Sequence, residues 1–257
     1  MEAVARAGGR DARNRLLVHP KSAQVVLEVL RRPGDVAGDI TKTIMTDPAL
    51  SASVLRAANS AHLGYSHRIG GIRQASVMLG ASLVGSLAAG RVADLVFDAE
   101  APDYPEWLWL HSITMGCACS VLARHVGEPA DDAFTVGLLH DVGWLLAAST
   151  GRQWQGADSE HAVAGAELLA RWNLPDRIVA AVRHHHARSS ALRAPLDRMG
   201  AAAHAFAAAL GAPSPARSMS IGEAMVLLGI SDVRERVLLA QIESELVSLT
   251  SGLTSQP

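Results

Sequence analysis

Strand signal, cysteine, long apolar runs and charge excess are all scarce in this chain, and each shortage closes off a class of protein. Alternating Val/Ile/Thr runs joined by Asn-Gly or Asp-Gly are missing, which excludes a sheet built from hairpins. No apolar run reaches the ~18–20 residues that span a bilayer, and no apolar core of a signal peptide marks the N-terminus. Cytoplasmic residence, with no membrane partner, is the expectation. Lys and Arg total 23 against 25 Asp and Glu, a net charge of -2. No overall field therefore draws the chain to nucleic acid or to a membrane surface. The two cysteines, Cys117 and Cys119, diverge by about 200° on a helix. They are expected neither to bridge nor to share a metal, but to be small core residues in a reducing compartment.

What is present is helical punctuation, in a chain of 257 residues that is 49% hydrophobic. That is enough for one large domain or two fused subdomains. Ser22 to Leu30 is apolar at helical spacing and stops at Pro33-Gly34. Asp47-Pro48 reads as an N-cap with a first-turn proline, opening a helix that runs to Asn59-Ser60 before the Gly64 turn. Gly80 ends a helix from Ile72 to Leu79. Further helices are predicted over 83–97, 107–126, 131–140, 160–172, 175–185 and 195–210. Ser220 and Glu223 form a capping box, and 231–249 is the last amphipathic segment. The fold class is all-α. Residues 1–14, basic through Arg6, Arg10 and Arg13 and followed by Arg15, read as a flexible tail. The segment 98–105, with two prolines, is the best internal boundary, and 211–220, with Pro213 and Pro215, is a second.

Most histidines fall in the second half: His111, His125, His140, His161, His184, His185, His186 and His204. A divalent metal needs donors converging from several elements, because one helix turn seldom supplies more than two. His140 and Asp141 at a helix end can flank one ion. His111 reaches it from the preceding long helix, and His161 and the pair His185-His186 from the two that follow. Trp107, Trp109 and Trp144 bracket these positions, as core packing or as the wall of a pocket. Arg183 and Arg188 flank the triplet, as solvated charges or as anion contacts. Arg56 and Arg73 are either ion-pair partners within the first block or part of a docking face.

Asp47-Pro48-Ala49-Leu50, Asn59-Ser60 and Ile72-Arg73-Gln74-Ala75 closing on Leu79-Gly80 resemble the amino-terminal half of the HDOD family. Leu139-His140-Asp141-Val142-Gly143 resembles the His-Asp doublet of the HD-type metal-dependent phosphohydrolases to which that family is related. The resemblance spans residues 15–210. It implies an N-terminal helical bundle (15–98) packed on an HD-like helical core (105–210), with 212–257 as a helical extension closing onto the core. By the same resemblance His111 matches the first metal ligand, and His140 and Asp141 the doublet. His161 matches the additional histidine of the dinuclear HD-GYP branch, and His185 and His186 the next pair. His204 stands where the closing Asp belongs.

Family members act mainly as non-catalytic output or adaptor modules in bacterial signal transduction. The resemblance thus implies a regulatory protein working through signalling protein partners, retaining a metal site, with a homodimer possible. The rival is a metal-dependent phosphohydrolase or phosphodiesterase in which Asp141 is the catalytic residue beside His111 and His140. A weaker third reading is a haem or oxygen sensor. Replacing the closing Asp by His204 removes a negative charge and favours Zn or Fe over Mg or Mn. Trp144 replaces the Lys that often follows the doublet in active phosphohydrolases. No Gly-Tyr-Pro follows the triplet, where the sequence runs Ala187-Arg188-Ser189-Ser190. Cyclic dinucleotide hydrolysis of the HD-GYP kind is disfavoured accordingly.

Overall fold

The computed structural model describes residues 16–32, 34, 36–60, 67–97, 103–151, 159–187, 192, 194–212 and 218–251. The basic tail with Arg6, Arg10, Arg13 and Arg15 lies outside them, as do Pro33, Gly64, residues 98–102, Arg188, Pro213 and Pro215. Every regular element among the described residues is helical.

The first helix, α1 (Pro20–Arg31), begins at His19, whose side chain accepts from the Lys21 amide. After α2 (Ala37–Met45), the Asp47 carboxylate caps α3 (Pro48–Ala58). Its Oδ1 accepts from the amides of Ala49 at 2.9 Å and Leu50 at 3.0 Å. Its Oδ2 accepts from the His19 amide at 2.8 Å, so one buried carboxylate ties the start of α1 to α3. Asn59 closes α3, and its side-chain amide pairs with both backbone groups of Ile69, at 2.7 and 2.8 Å. Next come α4 (Ile72–Leu79) and α5 (Ala81–Phe97), which meet at 111°. The corner is Gly80, at φ 76, where a side chain would be strained.

The second half is organised on α6 (Glu106–Val126), buried without a break from His111 to Ala123. Around it come α7 (Ala130–Leu139), α8 (Val142–Thr150), α9 (Glu160–Arg171), α10 (Asp176–His184) and α11 (Pro195–Ala209). Directly against α6 lie α7, α11 and the last helix, α13 (Glu235–Thr250). The capping box expected at Ser220 and Glu223 is formed and opens α12 (Ile221–Leu228), which packs on α11. The helices within residues 218–251 therefore dock on this same chain. Only Leu238 and Ile242 of α13 are fully buried.

One alternative for Arg73 and Arg56, ion pairing within the first block, needs correcting, because both side chains turn to the second block. Arg73 lies 3.5 Å from Asp131. That carboxylate also accepts from the amides of Arg73 (3.4 Å) and Gln74 (3.2 Å), capping α4 from another helix. The Arg56 guanidinium sits over the Trp172 ring, 5.6 Å from its centre. One continuous apolar core joins the blocks, from Leu16 to Ile242.

Two helices are absent from the sequence reading. α2 holds Gly38 and the β-branched Ile40, Thr41, Thr43 and Ile44, all poor helix formers. Burial of Ile40, Ile44 and Met45 outweighs that propensity. α8 is apolar nearly all round, so it carries no periodic signal. No single helix among the described residues is long and apolar enough to cross a membrane.

Candidate metal centre

All seven residues singled out as ligands converge on one buried point. His111 comes from the first turns of α6, and His140 directly follows α7. Asp141 is the residue before α8, so the chain breaks between the two helices there and aims both side chains the same way. His161 opens α9, His185 and His186 follow α10, and His204 comes from α11. All but His186 are buried, and His186 is half-buried.

Asp141 is the hub. Its Oδ2 lies 3.0 Å from His140 Nε2 and 3.7 Å from His111 Nε2. Its Oδ1 lies 2.9 Å from His161 Nε2 and 3.4 Å from His185 Nε2. Nε2 atoms face one another across the site: His111 and His140 at 3.2 Å, His161 and His185 at 3.3 Å, His186 and His161 at 3.1 Å. Two groups of mutually close donors result. One is Asp141, His161, His185 and His186, the other His111, His140 and His204, and each has its donor atoms within 4.8 Å of one another. Through its second oxygen Asp141 also touches the second group.

The protonation chemistry fits a cation. His140 Nδ1 lies 2.7 Å from the Gly137 carbonyl, and His185 Nδ1 lies 2.6 Å from the Val182 carbonyl. Each ring thus faces an acceptor at both nitrogens, whereas a neutral imidazole carries one N–H. A proton held at Nδ1 leaves the Nε2 lone pair against the Asp141 carboxylate, and a cation between them relieves that opposition. His204 Nε2 is buried with no hydrogen-bond partner. Burial pushes four of the imidazoles toward their neutral, ligating form: His111 and His186 fall to about 3, His185 is lowered, and His204 falls well below the usual range. Burial alone would raise the Asp141 carboxyl, but the adjacent imidazoles, His140 foremost, outweigh it and hold Asp141 well below the usual carboxylate range.

The tryptophans divide. Trp144 stacks on His161, with ring centres 5.2 Å apart, and meets Trp107 edge-on at 5.9 Å. Trp107 lies 5.9 Å from His111. Trp109, expected beside them, instead stacks on His19 at 4.5 Å and donates to Ser22 Oγ. In the triplet, His184 points away and pairs with Asp197 at 3.2 Å, while His185 and His186 face inward. His125 lies elsewhere, 3.3 Å from Arg234. Arg183 is exposed. The sequence motif contains Gly143 but does not show its role, which is that the lack of a side chain lets the His161 backbone come close. The Gly after the His-Asp doublet was the available signal.

Helical core and His-Asp centre together define an HD-type protein. Residues 16–188 match the family model described as the HDOD domain, and the chain belongs to the HDOD family. Its fold is shared with the MmoQ response regulator of Methylococcus capsulatus, with a TM-score of 0.71 at 22% identity over 88% of this chain and 98% of that one. An uncharacterized protein of Treponema pallidum is 29% identical over 65% of this chain and 37% of its own length. Ribonuclease Y of Lawsonia intracellularis is 32% identical over 32% of this chain and 15% of its own. The chain thus spans well under half the length of these curated relatives.

Proposed function

We propose that this chain is a regulatory signal-transduction module that acts through protein partners and holds a non-catalytic metal centre. Asp141 would be shared between His161, His185 and His186 on one side and His111, His140 and His204 on the other. One observation carries this reading: the donors nearly enclose the site. Structural metal sites are closed by protein ligands, whereas catalytic ones keep an open position for water or substrate. Trp144, at the position where active relatives often carry a cation, stacks on His161 and brings no positive charge to a phosphate. Six imidazoles and a single carboxylate favour zinc or iron over magnesium or manganese. HDOD membership supports the signalling role, and the fold shared with a protein named as a response regulator is consistent with it. A cytoplasmic location belongs to the same reading.

The test is metal content by mass spectrometry of tag-free protein, beside the His140→Ala/Asp141→Ala double variant. Phosphodiesterase turnover is assayed with added Mn or Fe. Near-stoichiometric metal, lost in the double variant, is expected, with no turnover in either protein. Turnover that disappears in Asp141→Ala would replace this reading with the phosphohydrolase. Absence of metal even after reconstitution would reduce the histidines to inherited scaffold.

A further inference from the structure

Away from the histidines, a cavity of about 600 Å³ opens between α2, the α4–α5 corner, α6, α7 and the end of α13. Packing voids in protein interiors are seldom larger than a water, whereas small-molecule sites run from ~300 to 1,000 Å³. Its floor is apolar, made by the buried side chains of Met45, Cys117 and Phe134. Burial pushes the Cys117 thiol up to about 12, so it is an inert wall and not a nucleophile.

The charges on the walls are unequal in what they have to bind. Arg73 stacks over Phe134, 5.9 Å from its ring centre, and pairs with Asp131. Glu245 is paired with Arg124. Lys42 has no hydrogen bond or ion pair among the described residues. The cavity therefore presents an apolar floor with one uncommitted ammonium at its edge.

We propose that this cavity binds a small amphipathic organic anion, with its carboxylate or phosphate at Lys42 and its apolar body on Met45 and Phe134. The site is independent of the metal centre and shares no residue with it. It also gives the module a place to receive a signal. Ser248 and Leu249 line the cavity, and they belong to α13, held by only two fully buried residues. A ligand there adds contacts to this lightly anchored helix and to both blocks at once.

Isothermal titration of the full chain with octanoate, octyl phosphate, 1-octanol and octyltrimethylammonium tests this. Both anions are expected to bind roughly tenfold tighter than the alcohol, as one partly exposed charge-assisted hydrogen bond gives, and the cation not at all. The tighter anion identifies carboxylate or phosphate as the head group. Lys42→Gln should erase the advantage over the alcohol. Gly38 lines the cavity, and a Cβ placed there meets nothing within 4 Å, so Gly38→Leu should fold normally and block binding. Hydrogen exchange at the end of α13 should slow when an anion is bound. Equal affinity for alcohol and anion, undiminished binding in a folded Gly38→Leu, or no heat with any probe would overturn the proposal.

Discussion

Gly143 and His161 meet through their backbones: a Cβ added to Gly143 would stand 2.0 Å from the His161 carbonyl oxygen. α8 and α9 approach this closely only because position 143 lacks a side chain, and the approach delivers His161 to Asp141. Gly143→Ala should force the helices apart at a cost of about 3 kcal/mol, at the upper end of typical overpacking. For a chain of this size that is a fall of roughly 6–12 °C in Tm. Calorimetry reads the loss, and metal content should fall with it because His161 is displaced. An unchanged Tm would mean that the contact is not tight in solution.

Chelation should destabilise the protein without reaching any surface contact. A metal held a thousandfold above its Kd adds about 4 kcal/mol to the folded state. Stripping it should therefore lower Tm by roughly 10 °C. The His140→Ala/Asp141→Ala variant should show no response to the chelator. Thermal scans before and after dialysis against a strong chelator check both.

Restoring a carboxylate at the closing position should change metal preference. His204→Asp adds a negative charge to the group formed by His111 and His140. Manganese affinity should rise by roughly tenfold or more, since one unit charge at ~4 Å is worth several kcal/mol even at an effective dielectric of ~20. Zinc, which takes imidazole readily, should gain less. Competitive metal titration of both proteins measures the ratio.

Asp47 should make the fold less stable as pH rises through the weakly acidic range. Burial pushes its carboxyl from 3.8 up to about 6, although the amides of Leu50, His19 and Ala49 pull the other way. The folded chain then keeps a proton between pH ~4 and ~6 that the unfolded chain has released, so stability falls across that window, by at most about 3 kcal/mol. Asp47→Asn removes this slope while keeping an oxygen for the α3 amides. Urea midpoints at pH 4.5 and 7 should converge or cross between the two proteins. Parallel profiles would show that the carboxylate is ionised throughout.

Much of the centre was legible in the chain because five of its seven candidate residues sit at or beside helix ends, and helix ends leave marks. Asp47-Pro48 announces a cap, and His140-Asp141-Val142-Gly143 announces a break. The histidines follow in the order that the HD pattern implies, and the structure gathers all seven candidate residues. What escaped notice lacks a local mark. α2 is held by burial against its own propensities, and α8 is too uniformly apolar to show a period. Arg73 finds Asp131 across 58 positions of chain. Which of His184, His185 and His186 turn inward depends on where α10 ends and on Asp197, and neither is visible in a run of three identical residues.

The single carboxylate of Asp141, set between two groups of imidazoles, has a consequence for the order of filling. Whichever half gains a cation first takes up the one carboxylate among the described donors, and the second cation must then settle among imidazoles beside a like charge. The two halves cannot load independently. A metal titration of this chain should bend between a tight first step and a weaker second one, so that the ratio of bound ions to protein records the free metal concentration around it.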